Sequence, residues 1–276
     1  MDRHAEEFPP MTAEDARALH DAVLSLERPG LAAQLTGMIG KPIELAGRML
    51  PPGAGRAISL AVNRGLDAAL KVALRTMSNE PHPGSPQLHK ALAAASGALG
   101  GGFGLASLPI ELPISTTIML RSIADIARSE GEDLRQPGTA VNCVEVFALG
   151  GRAGIRDPSE SGYFVVRGML AKSVSEAARF IAERGIVDKG GPALVRFLAE
   201  VASRFGAVVT QKVAAQSVPV IGALGGAAVN YAFIDHFQTV ARGHFTVRRL
   251  ERTYGTDVVR RAYEETRTRA DGARAN

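Results

Sequence analysis

The stretch ISLAVNRGLDAALKVALRTM, Ile58 to Met77, sets Ile58, Val62, Leu66, Ala69, Leu70, Ala73 and Met77 at intervals of three and four. Residues so spaced line one face of an α-helix, whereas in a strand Arg64 would share a face with Val62 and Leu66. The spacing therefore predicts a helix of more than five turns. No other stretch alternates with period two for long enough to require a sheet, so the expected fold is all-α, a multi-helix bundle.

Toward the N-terminus, Thr12 with Asp15 three residues on has the form of a variant capping box, and Leu19, Val23, Leu24 and Leu26 follow before Pro29-Gly30 ends the helix. Leu31 to Met49 keeps helical spacing, with Pro42 starting or kinking a segment. In the other direction SNEPHPGSP, Ser78 to Pro86, is the clearest linker. It divides residues 1–86, an N-terminal helical extension and linker, from residues 87–276, a helical domain ending in Arg-rich helices. Within that domain helices are expected from Pro113 to Gly131, Thr139 to Leu149, Ser159 to Arg184 and Pro192 to Ala215, with glycines after Leu149 and Arg184 as C-caps.

The chain of 276 residues is 46% hydrophobic but only 5% aromatic, with no Trp, so its apolar surface is mostly Ala, Leu, Val and Ile, suited to close helix packing. A single cysteine, Cys143, excludes an internal disulfide and an all-cysteine metal site and reads as a small buried hydrophobe in a reducing compartment. Met1 to Glu7 has neither the basic start nor the apolar run of a secretory signal, and a cytoplasmic protein is expected.

Two stretches carry no charge: residues 91–110, between Lys90 and Glu111, and residues 213–234, between Lys212 and Asp235. Each approaches the ~20 apolar residues that cross a bilayer. Both, however, are rich in Ala, Gly and Ser and contain proline, Pro109 and Pro219. They are read as two glycine-rich apolar helices packed centrally or at a membrane surface. Each holds GALGG, at Gly97–Gly101 and Gly222–Gly226, and ALGG returns at Ala148–Gly151. Glycine costs about 1 kcal/mol against alanine inside a helix. Its recurrence points to close backbone approach, with Gly97, Gly101, Gly222 and Gly226 as helix-packing positions.

The common catalytic signatures are missing. Gly100-Gly101-Gly102-Phe103-Gly104 lacks the Lys-Ser/Thr of a phosphate-binding loop, and neither Gly-x-Ser-x-Gly nor His-Glu-x-x-His occurs. Polar groups bordering the uncharged stretches are the remaining candidates: Glu111 just before Pro113, and Asn230, Asp235, His236 and His244. With Pro113 in a first helical turn, the Glu111 carboxylate would sit at the positive end of the helix. Glu111, Asp235, His236 and His244 are metal-ligand types, but their spacing fits no compact motif. The structural reading has Glu111 and Asn230 satisfying helix ends, Asp235 pairing with Arg242 or another base, and the two histidines facing different ways. Neither metal nor cofactor is assigned.

Net charge is +4 and the pI about 9.4, with arginines gathered after Gly243. Arg242, Arg248, Arg249 and Arg252 are read as a surface for anionic lipid or a partner, with an ordinary solvated face as the alternative. No nucleic-acid motif accompanies them.

Read together, GALGGGFGLASLPIELPISTTIMLRSIADIARSEGEDL (Gly97–Leu134), VEVFALGG (Val144–Gly151) and VPVIGALGGAAVNYAFIDHFQTVARGHFTVRRLERTYG (Val218–Gly255) resemble the EcsC protein family, over about Ala91 to Gly255. The resemblance implies a helical, cytoplasmic protein often associated with membranes, in a family named after a protein encoded with a bacterial ABC exporter. It carries over no catalytic assignment. The matching positions include Glu111-Leu112-Pro113, Pro219, Gly222, Asn230, Phe237, His244 and Phe245. The expectation is a non-enzymatic accessory protein held peripherally at the membrane surface or on a membrane transporter. The alternatives are a helical hydrolase or metalloprotein with a Glu/Asp/His site, and a soluble helical scaffold.

Overall fold

The computed structural model describes residues 9–28, 30–40, 42–48, 50–76, 108–151, 162–184, 191–217 and 222–275. Thr12 caps the first helix, its side chain accepting the Asp15 N–H at 3.1 Å, and α1 runs Ala13–Leu26. Next come α2 (Leu31–Ile39), ended by Gly40 in the left-handed region, and the short α3 (Ile43–Gly47). The stripe that decides the fold becomes α4 (Ala54–Thr76), with Ile58, Val62, Leu66, Ala69, Leu70 and Ala73 all buried. Then follow α5 (Leu108–Ser129), α6 (Pro137–Leu149), α7 (Gly162–Arg184), α8 (Pro192–Gln216), α9 (Gly222–Tyr254) and α10 (Thr256–Ala275). The described residues form an all-α multi-helix bundle.

The divide expected at Ser78–Pro86 lies outside the described residues. On either side of it the helices share one core: α4 packs along α5, and α1 lies along α9. The α1 crossing depends on Gly243, where an added Cβ would stand 2.6 Å from Leu26 Cγ. At the centre Phe147 of α6, Phe205 of α8 and Phe233 and Phe237 of α9 meet at ring separations of 4.9 to 6.1 Å. Cys143 is fully buried beside them on α6, and burial raises its thiol pKa. It packs as the small hydrophobe its isolation suggests.

Side-chain bonds fix how α5 and α9 run. Ser122 of α5 accepts from Gln238 and, just past the end of α5, Glu130 accepts from Thr246 and Glu132 from Arg248, each pair 116 residues apart. A constant offset means parallel helices, with both N-termini at one end of the bundle.

Two expectations change. The helix expected to begin at Pro113 begins at Leu108, so Pro113 lies inside α5 while Glu111 keeps its place in the first turn. There Pro113 forgoes the N–H that would have bonded the Pro109 carbonyl. The uncharged stretch 213–234 is not one helix but is shared between the end of α8 and the start of α9. Among the described residues no helix is long and apolar enough to cross a membrane. Of residues 91–110 only 108–110 are described, and Gly97 and Gly101 lie outside the described residues. The expected approach of Gly97 and Gly101 to Gly222 and Gly226 therefore lies outside them too. The third copy shows the principle: a Cβ on Gly150 would stand 2.4 Å from the Phe237 ring, and one on Gly151 2.5 Å from the Arg204 carbonyl oxygen.

Candidate functional site

At the N-terminal end of α5, Glu111 takes the α8 ammonium of Lys212 at 2.6 Å, with side-chain exposures of 6% and 0%. The ammonium also lies 4.9 Å from the centre of the Phe233 ring. Removing an ion pair from water is expensive, and the attraction offsets that cost only at close range with good geometry. Lys212 is the partner that sequence reasoning missed. The signal was present, since it is the last charge before residues 213–234, but the pairing spans 101 residues. Asn230, fully buried on α9, lies at the level of Ile114 by the α5–α9 offset. Exposed apolar side chains lie near that end: Ile110 is 72% exposed, Ile114 49% and Tyr231 48%.

A second buried polar group lies where α6, α7 and α9 meet. His244 is fully buried and its Nδ1 shares a 3.0 Å hydrogen bond with Tyr163 Oη. Arg167, one turn beyond Tyr163 on α7, donates to that hydroxyl at 3.3 Å and holds Glu251 bidentately at 2.8 and 2.7 Å. Burial first, then Arg167 and Arg248, hold the His244 imidazole well below its usual pKa, so it is neutral. Burial pushes the Glu145 carboxyl up to about 7, against the pull of Arg167 and Arg248. Of these groups only His244 was expected. Glu145 had a visible signal, a lone carboxylate in the apolar run Val141–Leu149.

His236 points elsewhere, donating from Nε2 to the Gly150 carbonyl at 2.9 Å. Asp235 is half-buried. Arg242 donates to Thr239 at 3.4 Å. Among the described residues no group of three or more His, Cys, Asp or Glu could hold a metal ion, so Glu111, Asp235, His236 and His244 are not brought together. The two histidines do face different ways, toward Gly150 and toward Tyr163.

The arginine stripe is not free charge. Arg248 holds Glu132 at 2.9 Å, Arg252 pairs with the same carboxylate, and Arg249 bridges Glu130 at 2.9 Å and Asp15 at 2.8 Å. Tyr254 Oη donates to Asp15 as well, at 2.6 Å. Of the four arginines read as a lipid or partner surface, Arg248, Arg249 and Arg252 fasten α1 and the α5–α6 turn to α9. The sequence shows these arginines without their carboxylates, which lie at least 116 residues away.

Residues 17–250 match the model of the EcsC protein family, a span that begins within α1 and ends within α9. No curated protein and no solved structure matches the chain.

Proposed function

The chain belongs to the EcsC protein family, and from that premise we propose a non-enzymatic accessory protein attached peripherally to the cytoplasmic face of a membrane, serving a membrane transporter there. The observation that carries this reading is the apolar end of the parallel helices. Ile110 and Ile114, one turn apart, project from the first turns of α5, and Tyr231 projects at the same level of α9. Both helices enter from the uncharged stretches 91–110 and 213–234. Residues this apolar and exposed at one place mark an interaction surface.

Charge supports the same end. The ionic groups there, Glu111 and Lys212, neutralise each other inside the protein. Farther along the Ile110–Ile114 face comes exposed Arg121, eleven residues and three turns on, placed to stay in the headgroup layer while the isoleucines enter it. Attachment rests on apolar contact with the bilayer surface, because Arg248, Arg249 and Arg252 of α9 are engaged with carboxylates and cannot each supply the ~1 kcal/mol that a free cation gains at anionic lipid.

Flotation of the full chain with vesicles of neutral and of mixed anionic lipid tests this. Recovery should occur with both and should largely survive high salt, and Ile110→Asp with Ile114→Asp should abolish it. Failure to float with either vesicle removes the reading and favours the soluble scaffold. Recovery confined to anionic vesicles and lost in salt returns the attachment to the arginines.

A further inference from the structure

Between α7 and α8, bounded at one end by Gly151 after α6, lies a cleft of about 390 Å3. That volume is within the range of small-molecule sites. Its apolar lining is Leu170, which is buried, Met169, which is 53% exposed, and Ala207. Its polar lining is Glu200, Ser203 and Arg204, all on α8. The wall is fixed: the backbone of Gly151 presses so closely on α8 that a Cβ there would stand 2.5 Å from the Arg204 carbonyl oxygen.

Glu200 and Arg204 are one turn apart, in the order in which opposite charges on a helix pair most readily. They do not pair. Glu200 Oε2 turns across to α7 and accepts from Ser173 Oγ at 2.5 Å, and Ser173 is 3% exposed. The Arg204 guanidinium reaches across to Met169 Sδ at 3.5 Å, a weak acceptor for a group with five donors. Arg167, Arg196, Arg248, Arg249 and Arg252 each hold a carboxylate, whereas half-buried Arg204 has none among the described residues. Ser173 and Met169 thus keep a negative and a positive pole separate on one wall of an apolar-lined cleft.

We propose that this cleft binds a small zwitterion with an apolar side chain, an α-amino acid of the leucine or phenylalanine type. Its carboxylate lies on the planar fork of Arg204, which suits two parallel hydrogen bonds. Its ammonium reaches Glu200, whose Oε1 is not the oxygen that takes the Ser173 hydroxyl. Its side chain covers Met169 and Ala207.

Isothermal titration of the full chain with L-leucine and L-phenylalanine reads the binding, with leucinamide and N-acetyl-leucine as probes that lack one pole each. Saturable heat is expected from both amino acids, and about tenfold or more weaker binding from each one-pole probe. Arg204→Ala and Glu200→Gln should each lower leucine affinity by a similar factor, in protein whose circular dichroism and melting match the parent. Should Arg204→Ala unfold, Glu200→Gln and the two probes still decide. The proposal is overturned by no saturable heat from either amino acid, by leucinamide binding as tightly as leucine, or by affinity unchanged in the folded variants.

Discussion

The two ends of the parallel pair α5 and α9 have opposite chemistry. At the N-terminal end one ion pair, Glu111–Lys212, is sealed in the core while isoleucines and a tyrosine face outward. At the C-terminal end of α5 and along α9, Asp15, Glu130 and Glu132 are laced to Arg248, Arg249 and Arg252 near the surface. By composition the second end is where a charged partner would be sought. Yet its charges are consumed in holding the helices together, and the end with its ion pair sealed inside is the one that exposes isoleucines. Charge in a sequence becomes an interaction surface only after the internal partners are subtracted.

The strongest way to break this comparison is Lys212→Met, which leaves the Glu111 carboxylate buried without its cation. We expect a loss of about 3–5 kcal/mol in denaturant unfolding, with Glu111→Gln added to Lys212→Met restoring most of it. A loss below ~1 kcal/mol would mean that this pair behaves as a surface pair and that the end is not sealed.

Next in size is the pH response of the α6–α7–α9 polar group. Between the ordinary value of 4.5 and the folded value of about 7, folded Glu145 binds more protons than the unfolded chain. Its contribution therefore falls as pH rises through that window, by up to ~3 kcal/mol. His244 acts in the opposite sense. Its folded pKa is depressed, so it adds stability above 6.5 that is lost as pH falls toward the folded value. Glu145→Gln leaves only the histidine slope, and the variant should lose more stability than the parent on going from pH 6.5 to 5. Equal slopes in urea melts would show that Glu145 ionises freely.

A smaller effect is expected from Glu132→Gln, about 1–3 kcal/mol at neutral pH, because Arg248 and Arg252 lose a shared acceptor. Burial pushes the Glu132 carboxyl up, but hydrogen bonding and attraction from Arg248 and Arg252 outweigh it and hold the pKa below 4.5. The difference between parent and variant should persist down to the ordinary carboxylate range. It should vanish as pH falls through the depressed folded value. The smallest effect sharpens the contrast from the other side. Ile110→Asp with Ile114→Asp should move stability by no more than ~0.5 kcal/mol, since both side chains are exposed, while the proposed attachment predicts lost vesicle recovery.

Much of the fold was legible because helices write themselves locally. The Ile58–Ala73 stripe, the Thr12 cap and the apolar runs of α6 and α8 each need only neighbours within a few turns. The start of α5 was misjudged because Pro109 and Pro113 both suit a first turn, and only packing distinguishes them. The polar groups were legible one side at a time. Glu111 and His244 stand out in the sequence, but Lys212 and Tyr163 are 101 and 81 residues away from them. Nothing in either local stretch names its partner. Glu200 and Arg204 were hidden for a different reason: their spacing suggests an ordinary helix ion pair, and only the structure places them apart.

The seating of α1 against α9 also bears on how the chain is made. Leu19, Ala22, Val23 and Leu26 are covered at Gly243 and its surroundings, and Asp15 is gripped by Arg249 and Tyr254. These contacts join segments more than two hundred residues apart in synthesis order. At ribosomal speeds of about 5–20 residues per second, the apolar face of α1 waits on the order of 10–50 s for its helix. During that interval it is a greasy segment without a berth, open to chaperones and to whatever membrane lies beside the ribosome.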